Sequence, residues 1–121
     1  DVEVMTPLAW AARCGELDAV RLLLKNGANI NAAVSFQVNW RYRHRNSSAL
    51  IWAASNDHAN VVRYLLAQGA DPQRRETVFK LDLDASGQEV EVYAGLGRRA
   101  DDVTDEPGLL ALLRKAIEQP R

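Results

Sequence analysis

Thr6 to Asn31 reads TPLAWAARCGELDAVRLLLKNGANIN, and Ser48 to Pro72 reads SALIWAASNDHANVVRYLLAQGADP. The second stretch is a copy of the first. Leu8 falls on Leu50, Trp10 on Trp52, Ala11 and Ala12 on Ala53 and Ala54, Val20 on Val62, Leu23 and Leu24 on Leu65 and Leu66, and Gly27-Ala28-Asn29 on Gly69-Ala70-Asp71. Such a repeat decides the architecture, because each copy is one block that buries its apolar face only by stacking on a neighbour. Within a copy, Thr6 or Ser48 suits a helix N-cap, and Pro7 at the first helical position gives up an N–H that would be unpaired anyway. The alanines that follow allow close approach of backbones. Leu17, Val20, Leu23 and Leu24 then recur at helical spacing on a second helix, which Gly27 ends by accepting a left-handed backbone. Val61, Val62, Leu65 and Leu66 before Gly69 repeat the arrangement.

Both copies resemble the ankyrin repeat, whose T-P-L-H-x-A signature opens a helix-turn-helix and whose G-A-D-x-N closes it. Thr6-Pro7-Leu8-Ala9-Trp10-Ala11 matches at every position except the histidine, which is Ala9 here and Ile51 in the second copy. Asp1 to Thr6 is similar to the D-x-x-G-x-T lead-in of such a unit, with Val4 in place of glycine. A third, worn unit follows the same frame at Gly97 to Thr104, and Leu109, Leu110, Leu112 and Leu113 with Lys115 give a final helix. Asp101, Asp102, Asp105 and Glu106 supply the polar face that a terminal unit needs. The resemblance implies a single mainly α domain, a helix-turn-helix solenoid over residues 1–121, with units at about 1–33, 46–74 and 97–118.

The units open at positions 6, 48 and 99, farther apart than the usual period of about 33 residues. Each connection therefore carries an insertion, expected as a β-hairpin finger at about 34–45 and about 76–95. In the first, Val34, Phe36, Val38, Trp40, Tyr42 and His44 alternate with Ser35, Gln37, Asn39, Arg41, Arg43 and Arg45. That is strand periodicity, with a turn expected near Asn39. In the second, Phe79, Leu81 and Leu83 alternate with charged residues before Ala85-Ser86-Gly87-Gln88 turns the chain. A two-residue Ser86-Gly87 loop pairs Leu83 with Val90, Leu81 with Val92 and Phe79 with Ala94, gathering the apolar side chains on one face. It also places Asp82 beside Glu91 and Asp84 beside Glu89, a like-charge crowding that Arg41, Arg43 and Arg45 of the neighbouring finger would relieve.

The chain has 121 residues, a formal net charge of -1 and 47% hydrophobic residues, the composition of an ordinary globular domain and not of a basic nucleic-acid binder. Its single cysteine, Cys14, excludes an internal disulfide framework and suits a reducing, intracellular setting, cytoplasmic or nuclear. No apolar run is long enough to span a bilayer. No phosphate-binding glycine loop or metal-ligand spacing is present, so the expectation is a non-enzyme without a cofactor. His58 falls in the turn between two helices, a structural position. Asp82-Leu83-Asp84-Ala85-Ser86-Gly87 resembles the opening of a calcium loop, but Tyr93 stands where the bidentate glutamate belongs, and a hairpin turn explains the same residues.

Trp10 and Trp52 are read as packing residues. The resemblance implies a protein partner, of unidentified nature, along the concave side and the fingers. The candidate contacts are Glu3 and Met5, Arg13 and Cys14, Ser47, then Ser55, Asn56 and Asp57. The fingers add Phe36, Trp40, Arg41, Tyr42, Arg43 and Arg45. The alternative is nucleic acid held by Trp40-Arg41-Tyr42-Arg43-His44-Arg45, arginines on phosphates and aromatics on bases. The apolar lead-in Val2, Val4 and Met5, with Ala9 and Val20, implies that the first unit is covered by upstream repeats or by self-association.

Overall fold

The computed structural model describes residues 5–119. Helices α1 (Pro7–Cys14) and α2 (Leu17–Lys25) form the first unit, and α3 (Ala49–Ser55) and α4 (Ala59–Ala67) the second. The third is a single 3₁₀ turn, Ala100–Asp102, followed by α5 (Pro107–Glu118). An inner row is made by α1 on α3 and α3 on the 3₁₀ turn, and an outer row by α2 on α4 and α4 on α5. Thr6 Oγ1 accepts from the Ala9 N–H at 3.1 Å and Ser48 Oγ from the Ile51 N–H at 3.3 Å, so the same cap starts each inner helix. Alanines 9, 12, 53 and 54 are fully buried, which is what lets the inner helices pack closely, and Val20, Leu50, Val61, Val62, Leu65, Leu109 and Leu113 fill the space between the rows.

The turns interlock the units. Gly15 ends α1 with φ 73°, and a Cβ there would meet His58 Nδ1 at 2.6 Å, so the backbone favours glycine and the close approach of His58 calls for it. The His58 Nε2–H donates to the Arg13 carbonyl at 2.9 Å. Asp57, equivalent to Gly15, takes the same left-handed backbone with φ 57° and accepts from the Thr104 hydroxyl of the third unit. Asn31 bonds both the Gly69 carbonyl and the Asp71 N–H, joining the two closing motifs. In the last unit Asp101, Asp102 and Glu106 have local roles besides polarity. The Arg99 guanidinium, hydrogen-bonded to Asp101, holds that carboxyl below its ordinary value, Asp102 pairs with Arg75, and Glu106 caps α5.

The expected mainly α class is overturned by the sheet. Strands β1 (Val34–Gln37), β2 (Tyr42–Ser47), β3 (Arg75–Leu83) and β4 (Glu89–Arg99) form one antiparallel sheet in that order, 26% of the described residues. The two insertions are joined edge to edge, with Tyr42 opposite Lys80 and Arg45 opposite Thr77. Pairing them satisfies backbone groups that two separate hairpins would leave on open edges. Between β1 and β2 the Asn39 carboxamide accepts from the N–H groups of Arg41 and Tyr42, both at 2.9 Å, and so supplies the turn signal that no glycine gives.

The second hairpin differs from its expected register by one residue. Leu83 faces Glu89, Asp82 faces Val90, Leu81 faces Glu91 and Lys80 faces Val92. The cause is the turn. Asp84 and Gln88 close a three-residue loop, with Gly87 at φ 81° and the Asp84 carboxylate accepting from the N–H groups of Ser86 and Gln88. The Ser86 hydroxyl and these amides hold the Asp84 carboxyl below its ordinary value. The apolar residues are consequently divided between the two faces, and the expected crowding of Asp82 with Glu91 does not arise. An irregularity between Val78 and Phe79 shifts the register again toward the base of the sheet.

Candidate functional site

The sheet meets the inner helix row at Phe36 and Trp52, whose rings stand edge to face with centroids 5.0 Å apart. On each inner helix a tryptophan is followed three residues later by a polar side chain on the same face: Trp10 and Arg13, then Trp52 and Ser55. Arg13 bridges the units, its guanidinium carbon 4.9 Å from the Trp10 ring centre and 5.3 Å from that of Trp52. Trp10 is 50% exposed, so its reading as a packing residue is corrected, whereas Trp52 is half-buried with its indole nitrogen covered and its ring packed on Phe36. The stack is filled by the alanines and leucines beside them. Phe36, Ile51, Trp52, Ser55 and Arg98 line a groove of about 130 Å³ in this corner.

Beneath the groove lies a charged junction. Glu76 of β3 is fully buried. Its carboxylate accepts from Ser47 Oγ at 2.6 Å and from Arg98 Nε at 2.8 Å, with His44 Nδ1 at 3.0 Å. A buried carboxylate needs such partners, since desolvating a charge without them is prohibitive. Three strands contribute to it, β2 through His44 and Ser47, β3 through Glu76 and β4 through Arg98, so the cluster forms only when the sheet has this order.

Farther out on the sheet, Arg43 Nη1 lies 3.1 Å from Glu91 Oε2, and Arg45 pairs with the other oxygen while stacking over Phe79 at 5.0 Å. The expected charge pairing between the insertions is thus present at Glu91. Asp82 instead lies near Lys80, and Asp84 serves its turn. Arg41 is exposed and stacks on Tyr42. Trp40, at the loop, is 76% exposed.

Of the candidate contacts, Arg13, Cys14, Ser55, Asn56 and Asp57 are exposed along the inner row, and Met5 is half-buried. Asn56 Nδ2 donates back to the Trp52 carbonyl. Phe36 forms the wall of the groove. Ser47 is fully buried on Glu76 and presents nothing to a partner. Glu3, Val2 and Val4 lie outside the described residues. Sequence reasoning missed Glu76 and Arg98, because neither stands out by spacing and only the register of three strands brings them together. A second groove of about 300 Å³, lined by Pro7, Leu8, Leu23 and Ala28 among others, opens beside the start of α1. Among the described residues no set of His, Cys, Asp and Glu is arranged to hold a metal ion, and no helix is long and apolar enough to cross a membrane.

A family model described as three copies of ankyrin repeats matches residues 1–76. Palmitoyltransferase Hip14 of Drosophila melanogaster is 34% identical over 76 residues, 63% of this chain and 11% of that protein. Alpha-latrocrustotoxin-Lt1a of Latrodectus tredecimguttatus is 34% identical over 94 residues, 77% of this chain and 6% of that protein. Mitochondrial disaggregase of Bos taurus is 36% identical over 96 residues, 78% of this chain and 13% of that protein. The chain thus spans a small fraction of the length of these relatives.

Proposed function

The chain belongs to the ankyrin-repeat family, and from that premise we propose that it binds a protein partner across the corner between the inner helix row and the sheet, without catalysis of its own. Ankyrin repeats generally mediate protein–protein interaction. The observation that carries the reading is the row Trp10, Arg13, Trp52 and Phe36, in which Trp10 and Arg13 are exposed beside the half-buried Trp52 and Phe36. Large aromatics and arginine are the side chains that dominate binding energy in protein interfaces. The pairing of Arg43 and Arg45 with Glu91 weakens the claim of nucleic acid on the same sheet. The lone, exposed thiol of Cys14 suits an intracellular setting, which is part of the same proposal.

Affinity capture from the source cell, with and without nuclease, tests this. Nuclease-resistant capture of a protein by the native chain, lost with Arg13→Ala and Asn56→Ala at unchanged melting temperature, is the expected result. Capture that disappears on nuclease treatment would transfer the function to nucleic acid.

A further inference from the structure

We propose that the corner groove takes an extended peptide segment in which a carboxylate side chain adjoins a branched or aromatic one; this rests on the protein-binding reading above. The apolar half of the specificity comes from size and lining. A void of about 150 Å³ walled by aliphatic and aromatic groups admits a benzene ring. The groove here, about 130 Å³ between Phe36, Ile51 and Trp52, suits one such side chain.

The acidic half comes from the polar groups around it. Arg98 holds Glu76 through Nε and Nη2, leaving Nη1 without a partner among the described residues, and this arginine lines the groove. Glu76 is fully buried beneath it, so it is not presented to a ligand. Arg13 is exposed, and no carboxylate among the described residues pairs with it. Its cation–π contacts with the two indoles engage no carboxylate and leave N–H donors for a ligand. The corner therefore offers Arg98 and the Ser55 hydroxyl at the apolar slot, with Arg13 beside it against the Trp52 ring.

The shape favours a chain over a small molecule. Trp10, Arg13, Trp52 and Phe36 follow one another at 4.9, 5.3 and 5.0 Å, a row that about four or five residues of extended peptide would span.

The test is selection of N-acetylated, C-amidated random nonapeptides on the full chain, followed by titration of the winners through tryptophan emission. The expected winners carry Asp or Glu beside Leu, Ile, Phe or Tyr. Arg13→Gln should weaken them by at least about tenfold, the worth of one hydrogen bond to a charged group. Ser55→Tyr, a change at an exposed helix end, should abolish binding by filling the slot while the melting temperature holds. Arg98→Lys keeps a cation for Glu76 and should weaken binding less than Ser55→Tyr. Winners without an acidic residue, or winners indifferent to Ser55→Tyr, would overturn the proposal. If cellular capture still depends on Arg13 in that case, the protein-binding reading stands and only this ligand class falls.

Discussion

The helical stack and the sheet are held together by different forces. In the stack leucines, valines and alanines disappear entirely, Leu65 and Leu113 among them, and the hydrogen bonds between units are mostly those of caps and turns. In the sheet, Leu83 and Leu96 are 63% and 68% exposed, and apolar residues occupy both faces because the register divides them. What fastens the sheet is backbone pairing, the Glu76 junction at its base and the Glu91 pairs farther out. Apolar burial is cooperative over the whole stack, whereas ladders and ion pairs act close to where they sit. The two regions should therefore respond differently to substitution, one globally and one locally.

The largest expected effect is in the stack. Leu65→Ala removes a fully buried side chain between the units and should lower global stability by about 2–5 kcal/mol, measured by urea unfolding. Leu23, at the first unit and only half-buried, should lose less on the same change. Equal losses at the two sites would mean that the outer row is more evenly covered than this comparison holds.

A middle effect is expected where the regions join. Glu76→Ala strips Ser47, His44 and Arg98 of their common partner. The Arg98 side chain is 42% exposed and can turn to water, which keeps the loss below that of a pair buried on both sides. A loss of about 1–3 kcal/mol follows, concentrated in the amides of β2 and β3. Uniform loss of protection through α1 and α4 as well would dissolve the distinction between the regions.

The same contrast explains what could be read from the chain. The stack was legible because each of its signals is local and appears twice: a cap, an alanine run, a leucine row and a closing glycine. That the insertions were strands was legible from their alternation. Their union was not, since nothing in Tyr42 to Arg45 or Thr77 to Lys80 specifies an edge partner. The register of the second hairpin depended on whether the loop closes at Asp84 and Gln88, and the apolar pattern pointed to the neighbouring choice. Of the corner, Arg13 and Ser55 were singled out by their frame positions and Phe36 by the alternation of the first finger. Trp10 was misplaced because a tryptophan at helical spacing resembles core, while the buried alanines beside it already complete the stack there; Trp52, at the same frame position, is covered because the sheet brings Phe36 onto it. Glu76 and Arg98 required three strands in register, which no linear pattern encodes.

The smallest effect concerns the outer part of the sheet. Pairing between β2 and β3 runs from Tyr42 with Lys80 to Arg45 with Thr77, and one further bond, from the Leu81 N–H to the Arg41 carbonyl at 2.7 Å, extends it. Beyond that point β3 and β4 continue alone to the Asp84 turn, and a two-stranded hairpin is marginal in water. Glu91, facing Leu81, is where Arg43 and Arg45 grip the outer hairpin. Changing both arginines to serine should cost the fold about 1 kcal/mol or less, because the pairs are only partly buried. It should still speed amide exchange at Leu81, Leu83 and Val90, residues not themselves altered, and added salt should produce part of the same effect in the native chain. Unchanged exchange at those three amides would show that the ladder alone holds the outer hairpin, and would leave charge with a role only at the base of the sheet.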